Sequence, residues 1–169
     1  MFYRLRGIMS ELIEIVFEEV NESDFFSIFF EISGQYSNDV FLNNKDQAIN
    51  VRSVSPQLFR DIFSLEKNHV CTLELEKYVI GRVCLQGVLI RFLKYDGNKY
   101  DIDFNFAMNK LSKIDLINLV DDLLIFCLSL SRKHKIKDFY CGLEPAKDEN
   151  TRLFTGEIVG PFFLPQGPD

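Results

Sequence analysis

The sequence is poor in residues that usually carry metal or redox chemistry. It has no tryptophan, two histidines and four cysteines among 169 residues. The histidines, His69 and His134, fall on different predicted elements, and no cysteine stands at metal-ligand spacing from either one. Zinc sites need such clustered ligands. The sequence therefore predicts no bound metal.

Motifs of common enzyme classes are also missing. Gly81 and Gly87 lie inside a strand-like stretch and open no helix, so they do not form a phosphate-binding loop. The chain has no G-x-S-x-G nucleophile elbow. We therefore predict no catalytic residues and no cofactor, although an enzyme with a dispersed active site stays open as an alternative.

The cysteines and the apolar segments bear on the compartment. The cysteines form no C-x-x-C pair and stand among apolar neighbours, which favours buried free thiols. No apolar segment follows the N-terminal arginines as a signal peptide requires. The most apolar stretch, residues 114–130, contains aspartates that a bilayer would penalise. We expect a cytoplasmic protein without a membrane segment, and both Met1 and Met9 are candidate start residues.

Basic residues are in the minority. The chain has 19 Lys and Arg against 25 Asp and Glu, for a net charge of −6. Direct nucleic-acid binding is therefore not expected, because phosphate contacts need a basic surface. The acidic excess is compatible with a basic protein partner.

What the sequence does have is alternation of apolar and polar residues in the middle of the chain. Residues 70–77, 83–94 and 98–106 follow this pattern, which predicts strands. Asp96-Gly97 predicts a two-residue hairpin turn between the last two. Alternation over this length indicates an antiparallel sheet with one buried and one solvated face.

A long apolar segment predicts the main helix, residues 112–132, beginning at the cap Ser112. Almost every position from 114 to 130 is apolar, so we expect the helix to be buried on most sides across the sheet. Val120, Leu124 and Phe104 are the predicted core residues. Asp121 and Asp122 are expected in a solvated stripe.

These elements predict the fold class. We expect a single α+β domain over residues 1–169, with a largely antiparallel sheet and the long buried helix packed on one face. Residues 144–169 are rich in proline and glycine and are expected to be mostly irregular, with a short strand at residues 162–164.

Carboxylates are the most numerous charged groups in the sequence. Alternation places Glu74 with Glu76, and Asp101 with Asp103, on one face of their strands. If both strands belong to one sheet, the four carboxylates share its solvated face. Two interpretations stay open: a solvated face whose acids discourage edge-to-edge association, and a docking surface for a basic partner.

The segment from Gly142 to Thr155 reads GLEPAKDENTRLFT. It resembles the C-terminal part of small bacterial immunity proteins of polymorphic and contact-dependent growth inhibition toxin systems. The resemblance implies a non-enzymatic inhibitor that binds the C-terminal domain of a cognate toxin, often a nuclease, and it transfers no catalytic residue.

On this hypothesis the toxin domain is basic, and two acidic patches form the partner-binding site. The first patch is Glu74, Glu76, Asp101 and Asp103, and the second is Glu144, Asp148 and Glu149. An ordered polar loop without a partner is the other interpretation of the second patch. A subunit or adaptor of another assembly is the alternative function.

Overall fold

The computed structural model describes residues 12–36 and 39–164. Within these residues the chain forms nine strands and three α-helices. The strands are β1 (Leu12–Val20), β2 (Phe41–Asn44), β3 (Gln47–Asn50), β4 (His69–Ile80), β5 (Val83–Tyr95), β6 (Lys99–Ala107), β7 (Asp138–Leu143), β8 (Arg152–Thr155) and β9 (Ile158–Val159). The helices are α1 (Glu22–Ser33), α2 (Pro56–Ser64) and α3 (Lys113–His134).

All nine strands belong to one antiparallel sheet, in the order β3-β2-β4-β5-β6-β1-β7-β8-β9. The predicted α+β class with an antiparallel sheet is therefore confirmed. That residues 1–169 form one domain stays a prediction. Both candidate start residues lie outside the described residues, as do residues 165–169.

Each helix begins at a capping side chain that the local sequence supplies. Asn21 accepts a hydrogen bond from the backbone N–H of Asp24, and Ser55 caps α2 just before Pro56. Ser112 and Asp115 form a reciprocal capping box at the start of α3. These caps satisfy N–H groups that the first helical turn leaves without partners.

One face of the sheet carries the helices. Residues paired across strands share a face, so the pairing of Phe104 with Ile90 places both on the same side. On that side, Phe25 of α1 lies 5.6 Å from Phe92, and Phe126 of α3 lies 5.7 Å from Phe104, between ring centroids. The helices and this face enclose the core.

Aromatic rings fill the space between the helices and the sheet. Phe29 of α1 stacks on Phe59 of α2 with ring centroids 4.0 Å apart, and Phe59 lies 6.0 Å from Phe92 of β5. Such aromatic pairs contribute about 0.5–1.5 kcal/mol each beyond the area they bury. The many phenylalanines of the sequence thus join α1 and α2 to the sheet.

The orientation of α3 differs from the prediction. Its buried apolar residues are Leu119, Leu123, Cys127 and Leu130. Val120 and Leu124, predicted in the core, are only partly buried, whereas Phe104 is fully buried as predicted. Ile117 is 80% exposed and Ile125 is 65% exposed. Burial on most sides of α3 is therefore not confirmed, because one face of the helix points to solvent.

An ion pair joins α3 to the β4–β5 turn. Asp122 is 5% exposed and accepts hydrogen bonds from the backbone N–H and from Nη2 of Arg82, both at 2.6 Å. Arg82 lies in the turn between β4 and β5. The prediction of a solvated stripe is wrong for Asp122, because this pair turns its side chain toward the sheet. The Arg82 guanidinium lowers the pKa of Asp122.

One turn and one strand also differ from the sequence prediction. Tyr95 pairs with Lys99, so the β5–β6 loop has three residues, with positive φ at Gly97 and Asn98. The strand predicted at residues 162–164 is not formed. The nearby chain instead forms β8 and β9, joined by a turn at Gly156, where φ is +54°.

Candidate functional site

The second face of the sheet carries no helix of the described residues, and we call it the helix-free face. Two rows of paired residues, read from β4 to β7, define it. One row is Glu74, Leu89, Asn105, Glu14 and Gly142, and the other is Thr72, Arg91, Asp103, Val16 and Tyr140. The predicted residues Glu74 and Asp103 therefore share one face.

Residues 144–151, which we call the 144–151 loop, pack against side chains of the helix-free face. The backbone N–H of Ala146 donates to Oε2 of Glu14 at 3.0 Å. Lys147 pairs with Glu18 at 2.5 Å, and its ammonium lies 5.6 Å from the ring centroid of Tyr140. The loop therefore lies on the same side of the sheet as Glu74, Asp101 and Asp103 of the first predicted patch.

The exposure of the predicted acidic residues divides them into two groups. Glu74, Glu76, Glu144, Asp148 and Glu149 are exposed. Asp101 is only partly exposed and accepts a hydrogen bond from the backbone N–H of Glu19 at 2.9 Å. Burial raises the pKa of Asp101.

Asp103 is the clear departure from the predicted solvated face, since it is 5% exposed. It accepts hydrogen bonds from Nε of Arg91 at 2.7 Å and from Nδ2 of Asn105 at 3.0 Å. Arg91 also lies 3.4 Å from Oε1 of Glu14. These partners satisfy carboxylates whose burial would otherwise be costly.

Burial has the largest effect on the titration of Asp103. It raises the pKa of Asp103 to about 6, and the hydrogen bond from Arg91 offsets only part of that effect. The same pair raises the pKa of Arg91. Asp103 is therefore an internal partner of Arg91 rather than a freely exposed charge.

The sequence interpretation missed Glu14, Arg91 and Tyr140, which link the loop and the strands on this face. A signal was present for Arg91, since a single arginine interrupts the apolar run of residues 83–94. Glu14 similarly interrupts the apolar residues of β1. Charged residues at such central strand positions are rarely buried without a partner.

Metal-ligating side chains are not clustered in the part of the chain that the structure describes. Among the described residues, no three His, Cys, Asp or Glu side chains converge as a metal centre requires. All four cysteines lie in the described part of the chain and are free thiols. Nor does a helix there have the length and apolarity to span a membrane.

Comparison with known proteins gives the family. A model described as the PABL017 Cdi1I immunity protein matches residues 11–158. The fold is similar to a chain in the crystal structure of the toxic C-terminal tip of CdiA from Pseudomonas aeruginosa in complex with immune protein. The TM-score is 0.75 at 28% identity, over 90% of this chain and 99% of that chain. No curated protein matches the chain.

These findings confirm the resemblance to immunity proteins of contact-dependent inhibition toxin systems, which rested on residues 142–155. The family match covers most of the chain and includes both the sheet and the 144–151 loop. The chain therefore belongs to the PABL017 Cdi1I immunity protein family.

Proposed function

We propose that this protein neutralises a cognate toxin by binding the toxin's C-terminal domain, without chemistry of its own. Membership of an immunity protein family supports this function. The similar crystal structure, which contains a toxic C-terminal tip together with immune protein, supports the kind of partner. We place the encounter in the cytoplasm, where four free thiols are stable.

The proposed docking surface is the helix-free face together with the 144–151 loop. The observations that support this proposal are that the 144–151 loop packs on the face that carries Glu74, and that five acidic side chains of β4 and the loop are exposed. They are Glu74, Glu76, Glu144, Asp148 and Glu149. We do not propose that Asp103 contacts the toxin directly, because its carboxylate is buried against Arg91.

The charge of this surface selects a basic partner. Exposed carboxylates attract a cationic domain over a long range, which speeds association, and close charge pairs add specificity. If the toxin is a nuclease, its substrate groove is basic, because it must hold phosphates. The carboxylates would then occupy or shield the groove in place of the nucleic acid.

Charge reversal tests this surface. Glu74→Lys with Glu76→Lys changes two exposed residues, and Glu144→Lys with Glu149→Lys changes two in the loop. Asp121→Lys on α3 is the control, since it reverses an exposed acid on the helix side. We expect each double variant to weaken binding to the cognate toxin domain at least about tenfold, and its affinity to fall less steeply with added salt.

The control should bind like the wild type. Full affinity in both double variants would place the interface elsewhere. A loss in Asp121→Lys alone would place it on the exposed face of α3, around Ile117 and Ile125.

A further inference from the structure

We propose that Glu14 is a positioning residue for toxin recognition, which holds the 144–151 loop in its docking conformation; this inference rests on the proposed function. Glu14 lies in β1 and is 8% exposed. Its Oε2 accepts the backbone N–H of Ala146 at 3.0 Å, across 132 residues of chain. This bond attaches the loop backbone to the sheet. Glu14 thereby influences the positions of the exposed carboxylates of the loop.

The geometry makes Glu14 the central attachment of the loop to the sheet. Ala146 is fully buried, while its neighbours Glu144, Lys147 and Asp148 are exposed. A hydrogen bond to a carboxylate is stronger than one between neutral groups. The loop therefore approaches the sheet at Ala146 and presents its acidic side chains outward.

Other contacts confine the loop at its two ends. The backbone N–H of Glu144 donates to the carbonyl of Leu12 at 3.0 Å, and the backbone N–H of Leu143 donates to the carbonyl of Thr151 at 2.9 Å. The hydroxyl of Thr151 closes the loop by donating to the carbonyl of Pro145 at 2.7 Å. Between these ends, the loop is tied to the sheet by Glu14, by the pair of Lys147 with the partly buried Glu18, and by Arg152, which donates to the carbonyl of Lys147.

The buried carboxylate of Glu14 is weak evidence for added stability. Glu14 has Arg91 at 3.4 Å, but Arg91 makes its shorter bond, 2.7 Å, to Asp103. A buried ion pair contributes little to stability compared with apolar residues of similar volume. A preformed loop, by contrast, reduces the ordering cost of association. Preorganisation of the loop is therefore the binding role that we assign to Glu14, beside its satisfying of a buried N–H.

Two substitutions at Glu14 separate the hydrogen bond from the charge. Glu14→Met keeps the length of the side chain and removes the acceptor. Glu14→Gln removes the charge but keeps an amide oxygen that accepts from Ala146. We expect Glu14→Met to weaken binding to the cognate toxin domain about tenfold, or about 1.4 kcal/mol at 25 °C. Glu14→Gln should retain affinity within about threefold.

A third variant removes the same hydrogen bond from the loop side. The backbone N–H of Asp148 donates to the carbonyl of Pro145, so Ala146 occupies the second position of a turn. Proline is favoured at that position of common turns and has no N–H. Ala146→Pro therefore removes the hydrogen bond while Glu14 stays intact. It replaces Glu14→Met as the test if Glu14→Met does not fold.

The measurements are titration calorimetry with the toxin domain and amide exchange at Ala146 in the free protein. We expect the Ala146 N–H to be protected in the wild type and in Glu14→Gln, and to exchange rapidly in Glu14→Met. Rapid exchange with unchanged affinity would overturn this inference and leave the proposed function intact. Absence of binding by the wild type would instead overturn the proposed function.

Discussion

Arg91 and Asp103 face each other across the β5–β6 hairpin and form a direct ion pair, with 2.7 Å between Nε and Oδ1. The arginine side chain is 33% exposed and the aspartate side chain is 7% exposed. The pair therefore has a solvated end and a buried end. Because burial raises the pKa of Asp103 to about 6, its ionisation is a cost to the folded state.

Removal of this carboxyl should change how stability depends on pH. The folded pKa of Asp103 lies above its unfolded value near 4, so its contribution to stability decreases as pH rises from about 4 to 6. Asp103→Asn lacks that titration. Urea unfolding should show the variant gaining about 2 kcal/mol of stability relative to wild type between pH 4 and 6, out of about 3 kcal/mol once the carboxyl is ionised in both states.

Asp61→Asn, which removes an exposed acid on α2, is the matched control for the loss of one carboxyl group. A constant difference for Asp103→Asn would mean that Asp103 titrates like an exposed aspartate.

The orientation of α3 predicts unequal effects at two adjacent leucines. Leu123 is fully buried, whereas Leu124 is only partly buried. Leu123→Ala should reduce the free energy of unfolding by about 2–5 kcal/mol, as other large-to-small core changes do. Leu124→Ala should cost clearly less, because solvent already reaches it. Chemical denaturation of the two variants measures this, and equal costs would contradict the orientation.

Gly142 predicts a steric effect at the base of the 144–151 loop. A Cβ atom there would collide with the carbonyl oxygen of Thr151 and lie 2.9 Å from Cα of Arg152. Gly142→Ala should destabilise the protein by about 1–3 kcal/mol, as overpacking does, and displace the loop. Thermal unfolding and the amide spectrum report the two effects.

The control for this variant is Gly97→Asn in the β5–β6 turn. Nothing lies within 4 Å of the added Cβ, and asparagine tolerates a positive φ. If Gly142→Ala were as stable as this control, the close approach of β7 to β8 would be wrong.

The hairpin illustrates what the sequence could and could not predict. Alternation located both strands and the buried Phe104, because period-2 patterns report burial directly. It did not locate the partner of Arg91. A two-residue turn at Asp96-Gly97 would pair Arg91 with Ile102, whereas the observed three-residue loop pairs Arg91 with Asp103. One residue of loop length thus changes every pair in the hairpin.

The candidate site shows the same limit over longer distances. The acidic character of residues 144–149 was visible in the sequence, but the hydrogen bond between Glu14 and Ala146 spans 132 residues. The burial of Asp122 on α3 likewise involves a distant partner, Arg82. Local patterns carry no information on such contacts, since one depends on β1 lying beside β7 and the other on how α3 packs near the β4–β5 turn.

Amide hydrogen exchange of the protein, alone and saturated with the cognate toxin domain, tests the docking surface most directly. We predict that the complex slows exchange in residues 72–76 of β4 and in the 144–151 loop, while the exposed face of α3 around Ile117 and Ile125 stays unchanged. Slowed exchange confined to α3, with β4 and the loop unaffected, would contradict toxin binding by the helix-free face.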